Sequence, residues 1–159
     1  MKRLFLLLTV LFTAAIGEST AINYTQLTDI PTIYINTENG RSITSKDIYI
    51  YATMIYVDSS SVVQYDSLQI RGRGNSTWSS MPKKSYRIKF NEKEKFLGKG
   101  YANAKSWTLL ANCTDKAMIR NALTRDLGEF ISIQNSPAAK FVDLYLNGTY
   151  QGTYQISDQ

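Results

Sequence analysis

From about position 31 the chain alternates apolar and polar residues over most of its length. "TIYIN" (32–36) predicts a strand, and "NGR" (39–41) follows it with the glycine chemistry of a turn. "DIYIYATMIYV" (47–57) is long, β-branched and tyrosine-rich, a strand expected to bend at Ala52. "DSSS" (58–61) breaks it, and "SLQIRG" (67–72), "KSYRIKF" (84–90) and "SWTLLAN" (106–112) continue the series around a charged, glycine-containing loop at 91–105. The clearest element is "KFVDLYLNGTYQGTYQIS" (140–157), two alternating strands joined by Asn147-Gly148, the residues of a two-residue hairpin turn.

The period changes once. Between 115 and 131, Met118, Ile119, Ala122, Leu123, Leu127 and Phe130 recur at helical spacing, with Thr114 or Asp115 available to cap the start. Ser136-Pro137 ends the break after it. Strands, one helix and a hairpin predict an α+β fold: a mainly antiparallel β-sheet with one α-helix (115–131) packed on a face.

The first seventeen residues follow another rule. "MKR" is a basic lead, "LFLLLTVLFTAAI" is an apolar run too short for a membrane span, and Ala15 and Gly17 present small residues where a signal peptidase reads. Residues 1–17 are therefore expected to be a signal peptide cut after Gly17, or near Thr20, and the product to be exported with no membrane span in the mature protein. A polar lead (18–30) then precedes a single domain at 31–159. Removal of Lys2 and Arg3 lowers the formal charge from +5 to +3, too small an excess to indicate nucleic acid. The single cysteine, Cys113, cannot form an internal disulfide. The absence of histidine excludes a Ser-His-Asp triad, a Cys-His pair and a histidine metal site. Any chemistry must use carboxylates, lysine, arginine, tyrosine or an oxygen-bound cation.

The candidate chemistry is concentrated in "QIRGRGNSTWSSMPKKSYRIKF" (69–90). Alternation puts Tyr86, Ile88 and Phe90 on one face and Ser85, Arg87 and Lys89 on the other. Lys84 has the parity of the apolar set, where an unpaired ammonium is costly unless its head reaches water at the strand's end. Asp126 lies on the apolar stripe of the helix, so a strand-lysine to helix-carboxylate pair is the other account. "RGRGNST" (71–77) places Gly72 and Gly74 where freed backbone amides could cradle phosphate, flanked by Arg71, Arg73, Lys83 and Lys84. It is not a Walker loop, because no Gly-Lys-Ser/Thr closes it. Eleven tyrosines and two tryptophans leave a second reading open: a secreted β-rich module binding a cell-surface glycan or protein.

Taken together, "IRGRGNSTW", "PKKSYRIKF", "SWTLLAN", "MIRNALTRDLGEF" and "VDLYLNGTYQGTYQIS" resemble the CotH kinase family, related to spore coat protein H, over residues 33 to 157. The resemblance implies the N-terminal lobe of an atypical, secreted protein kinase that uses ATP with Mg or Mn to phosphorylate serine of extracellular or surface proteins. It makes Lys84 the phosphate-contacting lysine, with Lys83 the competing choice, and puts Arg71, Gly72, Arg73, Gly74 and Ser76 near the phosphates. It makes Asp126 the ion-pair partner of that lysine and Asp158 part of the connector beside the adenine. The family's catalytic and metal-binding aspartates belong to its C-terminal portion, expected beyond residue 159. On that reading the chain is the nucleotide-covering part of a kinase, expected by itself to bind nucleotide weakly at most and not to transfer phosphate, because a cleft needs both walls.

Overall fold

The computed structural model describes residues 24–133 and 136–159, so the expected signal peptide (1–17) lies outside the described residues. Seven strands follow one another: β1 (Thr32–Thr37), β2 (Ile50–Val57), β3 (Val62–Arg73), β4 (Ser85–Glu94), β5 (Ala104–Leu110), β6 (Ala139–Leu146) and β7 (Thr149–Asp158). Among the described residues a short 3-10 turn (Glu38–Gly40) lies between β1 and β2, and two α-helices interrupt the later strands, α1 (Ser76–Ser80) between β3 and β4, and α2 (Arg120–Phe130) between β5 and β6.

The strands close into a barrel in the order β1-β2-β3-β4-β5-β7-β6. Six of its seams are antiparallel, and the seventh is a parallel pairing of β1 with β6 in the register Ile33↔Leu144. This corrects the expected open α+β sheet covered by a helix. The physical reason is that strict alternation marks one buried face per strand, and a barrel satisfies it by turning every such face inward. Ile33, Ile35, Met54, Leu68, Ile70, Ile88, Trp107, Leu109, Leu144, Tyr154 and Ile156 are fully buried in that interior. The barrel is filled by its own side chains, which leaves no open sheet face for a helix to cover.

Helix α2 shows the consequence. It begins at Arg120 rather than 115, because residues after Asn112 form turns, with the Asp115 amide on the Asn112 carbonyl and the Met118 amide on the Asp115 carbonyl, both at 2.9 Å. The Asp115 carboxylate still serves the helix start by accepting from the Arg120 amide at 2.8 Å. Its apolar stripe faces away from the barrel: Ile119, Leu123 and Leu127 are exposed, and Phe130 is 84% exposed.

Local signals are met elsewhere. The β2–β3 register shifts between Ala52 and Met54, which is the expected bend. Asn147 and Gly148 have φ of 49° and 77°, the paired positive values of a hairpin turn that matches strand twist. The Asn147 side chain then ties the turn to β1, accepting from the Thr37 amide at 2.8 Å.

Candidate functional site

The basic stretch lies at one end of β3 and β4, and the pleat divides it between two faces. Gly72 pairs with Tyr86 on the inward side, and the Trp78 indole packs against its α-carbon so closely that a Cβ there would overlap three ring atoms. The Gly72 amide already donates to the Ser45 carbonyl at 2.8 Å. Gly72 thus serves packing rather than the cradling of an anion. Gly74 differs: its φ of 119° requires glycine, and it turns the chain from β3 into α1. Ser76 is exposed at the start of α1, and its carbonyl accepts from the Ser79 hydroxyl at 3.0 Å.

The two lysines cap the inward side of this end. Lys84 Nζ donates to the Trp78 carbonyl at 2.6 Å and stands 5.6 Å from that ring's centroid. Lys83 Nζ donates to the Thr153 carbonyl and stands 4.5 Å from the Tyr154 ring centroid. Burial pushes the Lys83 ammonium below its ordinary pKa, opposed by Cys113 and Asp143. Tyr154 OH in turn donates to the Lys84 carbonyl at 2.8 Å. Both ammoniums are held by neutral carbonyls, which satisfy hydrogen bonds without neutralising charge.

The structure does not bring Asp126 to Lys84. Asp126 is exposed on α2, and the one ion pair among the described residues is Arg120–Asp115 at 3.7 Å. Asp126 shares the apolar stripe of α2, and that stripe faces outward because the closed barrel needs no cover. Asp158 ends β7 opposite Trp107 and lines a cleft of about 500 Å³ with Tyr101, Glu129 and Pro137. Its negative charge raises the Arg125 pKa, against the larger lowering by burial.

Arg71 and Arg73 point to the outer face, away from the lysines. The Arg71 guanidinium lies 5.0 Å over the Tyr49 ring. Burial, and then the positive charges of Arg125 and Arg87, hold the Arg73 guanidinium below its ordinary pKa. With Lys46, Asp47, Gly74 and Asn75, these two arginines line a cleft of about 370 Å³, within the range of small-ligand sites. Lys46 Nζ reaches the Asn75 side-chain oxygen at 3.5 Å, and Asp47, though on the wall, makes no ion pair there. Among the described residues three buried side-chain donors, Arg71 Nε, Arg87 Nε and Gln155 Nε2, lack an acceptor, each at a cost of about 1–3 kcal/mol.

The sequence reading missed Lys46 and Tyr49, which come from the segment before β2 and have no local motif. It also missed Trp78 as the hub that fixes Gly72 and Lys84. Among the described residues no cluster of three Asp, Glu, Cys or His side chains is placed to hold a metal ion. The described residues therefore offer no carboxylate set for Mg or Mn. Of the tyrosines of the alternative reading, Tyr34 and Tyr145 stack on each other at 4.9 Å and 19°, whereas Tyr51 and Tyr150 are exposed.

Fold and site together define a small, filled β-barrel with a cationic cleft at the β3–α1 turn. Residues 70–159 match the family model for CotH kinase protein, and the chain belongs to that family. The match starts within β3, so β1 and β2 lie outside it, whereas the resemblance in motifs extends over residues 33 to 157. Membership supports a kinase-related function. No curated protein matches the chain.

Proposed function

We propose that this chain forms the nucleotide-binding part of an exported CotH-like kinase that passes the γ-phosphate of ATP to serine of extracellular or surface proteins. The observation that carries the reading is the cleft at the β3–α1 turn, where Lys46, Arg71 and Arg73 converge with no ion-pair partner among the described residues, beside a glycine held at positive φ. Such a cleft stabilises a polyanion, since guanidinium forks match phosphate oxygens and the turn lets backbone approach closely. Lys84 and Lys83 lie on the inner side of the same end, held by carbonyls that an anion could replace. In kinases a strand lysine positions the nucleotide phosphates, and the chemistry is mostly positioning and charge stabilisation. Here the chain's part is to bind and orient. Among the described residues no helix is long and apolar enough to cross a membrane.

Calorimetric titration of the purified chain with ATP tests the reading. Saturable binding is expected, weakened about ten-fold or more in Arg73→Gln, the size of one lost charge-assisted contact. Absence of saturable binding, or equal affinity in Arg73→Gln, refutes it.

A further inference from the structure

The outer face carries a feature that the turn cleft does not use. Arg71 on β3 and Arg87 on β4 are direct cross-strand partners, and Arg87 faces Thr108 on β5 in turn. Like charges placed opposite one another on adjacent strands repel, and sheets ordinarily separate them or interpose a carboxylate. None is interposed here. Arg87 Nη2 donates only to the Ser106 hydroxyl at 3.3 Å, and Arg71 rests on the Tyr49 ring. Both Nε atoms are buried and have no acceptor. Lys89 lies one step along the same face, 5.8 Å from the Tyr49 ring centroid. Two buried donors without acceptors, beside repelling charges, describe a seat built for an oxyanion supplied from outside the chain.

We propose that Arg71 and Arg87 form a second phosphoryl seat, continuous through Arg71 with the turn cleft, which takes one phosphoryl group of a polyphosphate whose neighbouring group lies at Arg73. Arg71 and Arg73 are two positions apart on one face of β3, about 7 Å along the strand, and Arg87 is one strand over, about 5 Å away. Three guanidiniums at those spacings line a strip rather than a point, which favours a chain of phosphates over a single one. Thr108, the β5 partner of Arg87, is buried and bonded to Ser157. Asp47 lines the adjoining turn cleft, and the Asp158 charge acts on Arg125. The inference rests on the nucleotide reading for its ligand class, but its residue, Arg87, belongs to neither the turn nor the lysine pair.

The test is titration of the whole chain with inorganic tripolyphosphate, which has no base, alongside ATP. Arg87→Gln is expected to lose about ten-fold or more in tripolyphosphate affinity. Lys93→Gln, which removes one exposed positive charge from the same strand, is expected to stay within about two-fold. Equal losses in the two variants, no loss in Arg87→Gln, or no saturable tripolyphosphate binding by the wild-type chain overturns the seat. Should Arg87→Gln fail to fold by circular dichroism, Arg87→Lys replaces it. That variant keeps the charge but not the fork, and is expected to bind more weakly than wild type; equal affinity overturns the proposal. An Arg87→Gln chain that keeps wild-type ATP affinity removes this seat and leaves the Arg73 reading standing. A wild-type chain that binds tripolyphosphate but not ATP keeps the seat and removes the nucleotide reading.

Discussion

Replacing Gly72 by alanine adds one methyl group where three atoms of the Trp78 indole already sit. Backbone strain is not at issue, since Gly72 is not among the positive-φ glycines. The strain is steric: Trp78 must swing out, carrying α1 and the carbonyl that holds Lys84. Overpacking of this kind costs about 1–3 kcal/mol, and the lost Lys84 hydrogen bond adds about 1 kcal/mol. A total of about 2–4 kcal/mol corresponds to a melting-temperature drop on the order of 10 °C for a domain of this size. Thermal melts followed by circular dichroism read the loss, and tryptophan emission reads the displaced Trp78, because Trp107 stays buried in the core. The decisive arm is a double-mutant cycle with Trp78→Ala: without the indole, Gly72→Ala is expected to be nearly neutral. Additive losses would show that Gly72 acts through something other than Trp78. A stable Gly72→Ala chain with weakened ATP binding would instead restore Gly72 as a phosphate-cradling residue.

Two further outcomes follow from the lysine pair. Lys84→Ala is expected to weaken ATP binding with the fold intact by circular dichroism, and unchanged affinity beside a loss in Lys83→Ala would transfer the role to Lys83. Burial lowers the Lys83 pKa in the folded state, so the unfolded chain holds that proton more tightly. Stability is therefore expected to rise with pH as the unfolded lysine value of about 10.4 is approached from below. Above about pH 10 the buried Tyr56 and Tyr154, whose folded pKa values are raised by burial, act in the opposite sense. Urea titrations from neutral pH to about pH 9.5 read the Lys83 contribution against Lys83→Met; an identical slope in both chains would rule it out.

Much of the strand framework could be read from the residues. Alternation in "TIYIN" and "KSYRIKF" marks the inward faces that the structure buries, and Asn147-Gly148 fixes the last hairpin because few other pairs tolerate two positive φ values. Closure could not be read, since an open antiparallel sheet and a barrel impose the same period of two on each strand. The parallel β1–β6 seam depends on which edges meet, and no residue in either strand encodes that locally. The helix misled for a related reason: its periodic stripe was sound, but periodicity does not say what the stripe packs against, and α2 turns it to the outside. The basic stretch read as one cluster because its residues are consecutive. In the structure the lysines meet carbonyls near Trp78 and Tyr154, while the arginines stand on the outer sheet. Arg87 was visible as an outward residue of β4, yet its pairing with Arg71 required the β3–β4 register.

The β1–β6 seam also bears on how the chain reaches its fold. Thr37 and the Asn147 side chain that fastens it are 110 residues apart, and Thr28 reaches Asp143 across 115. A strand made early therefore keeps one edge unpaired until nearly the whole domain has been synthesised, so closure is a late event with a high loop-entropy cost. Until then β1 and β2 form an open ribbon with a free edge, the arrangement most prone to pairing with another chain. Such a late lock keeps the barrel from shutting before its last hairpin is in place.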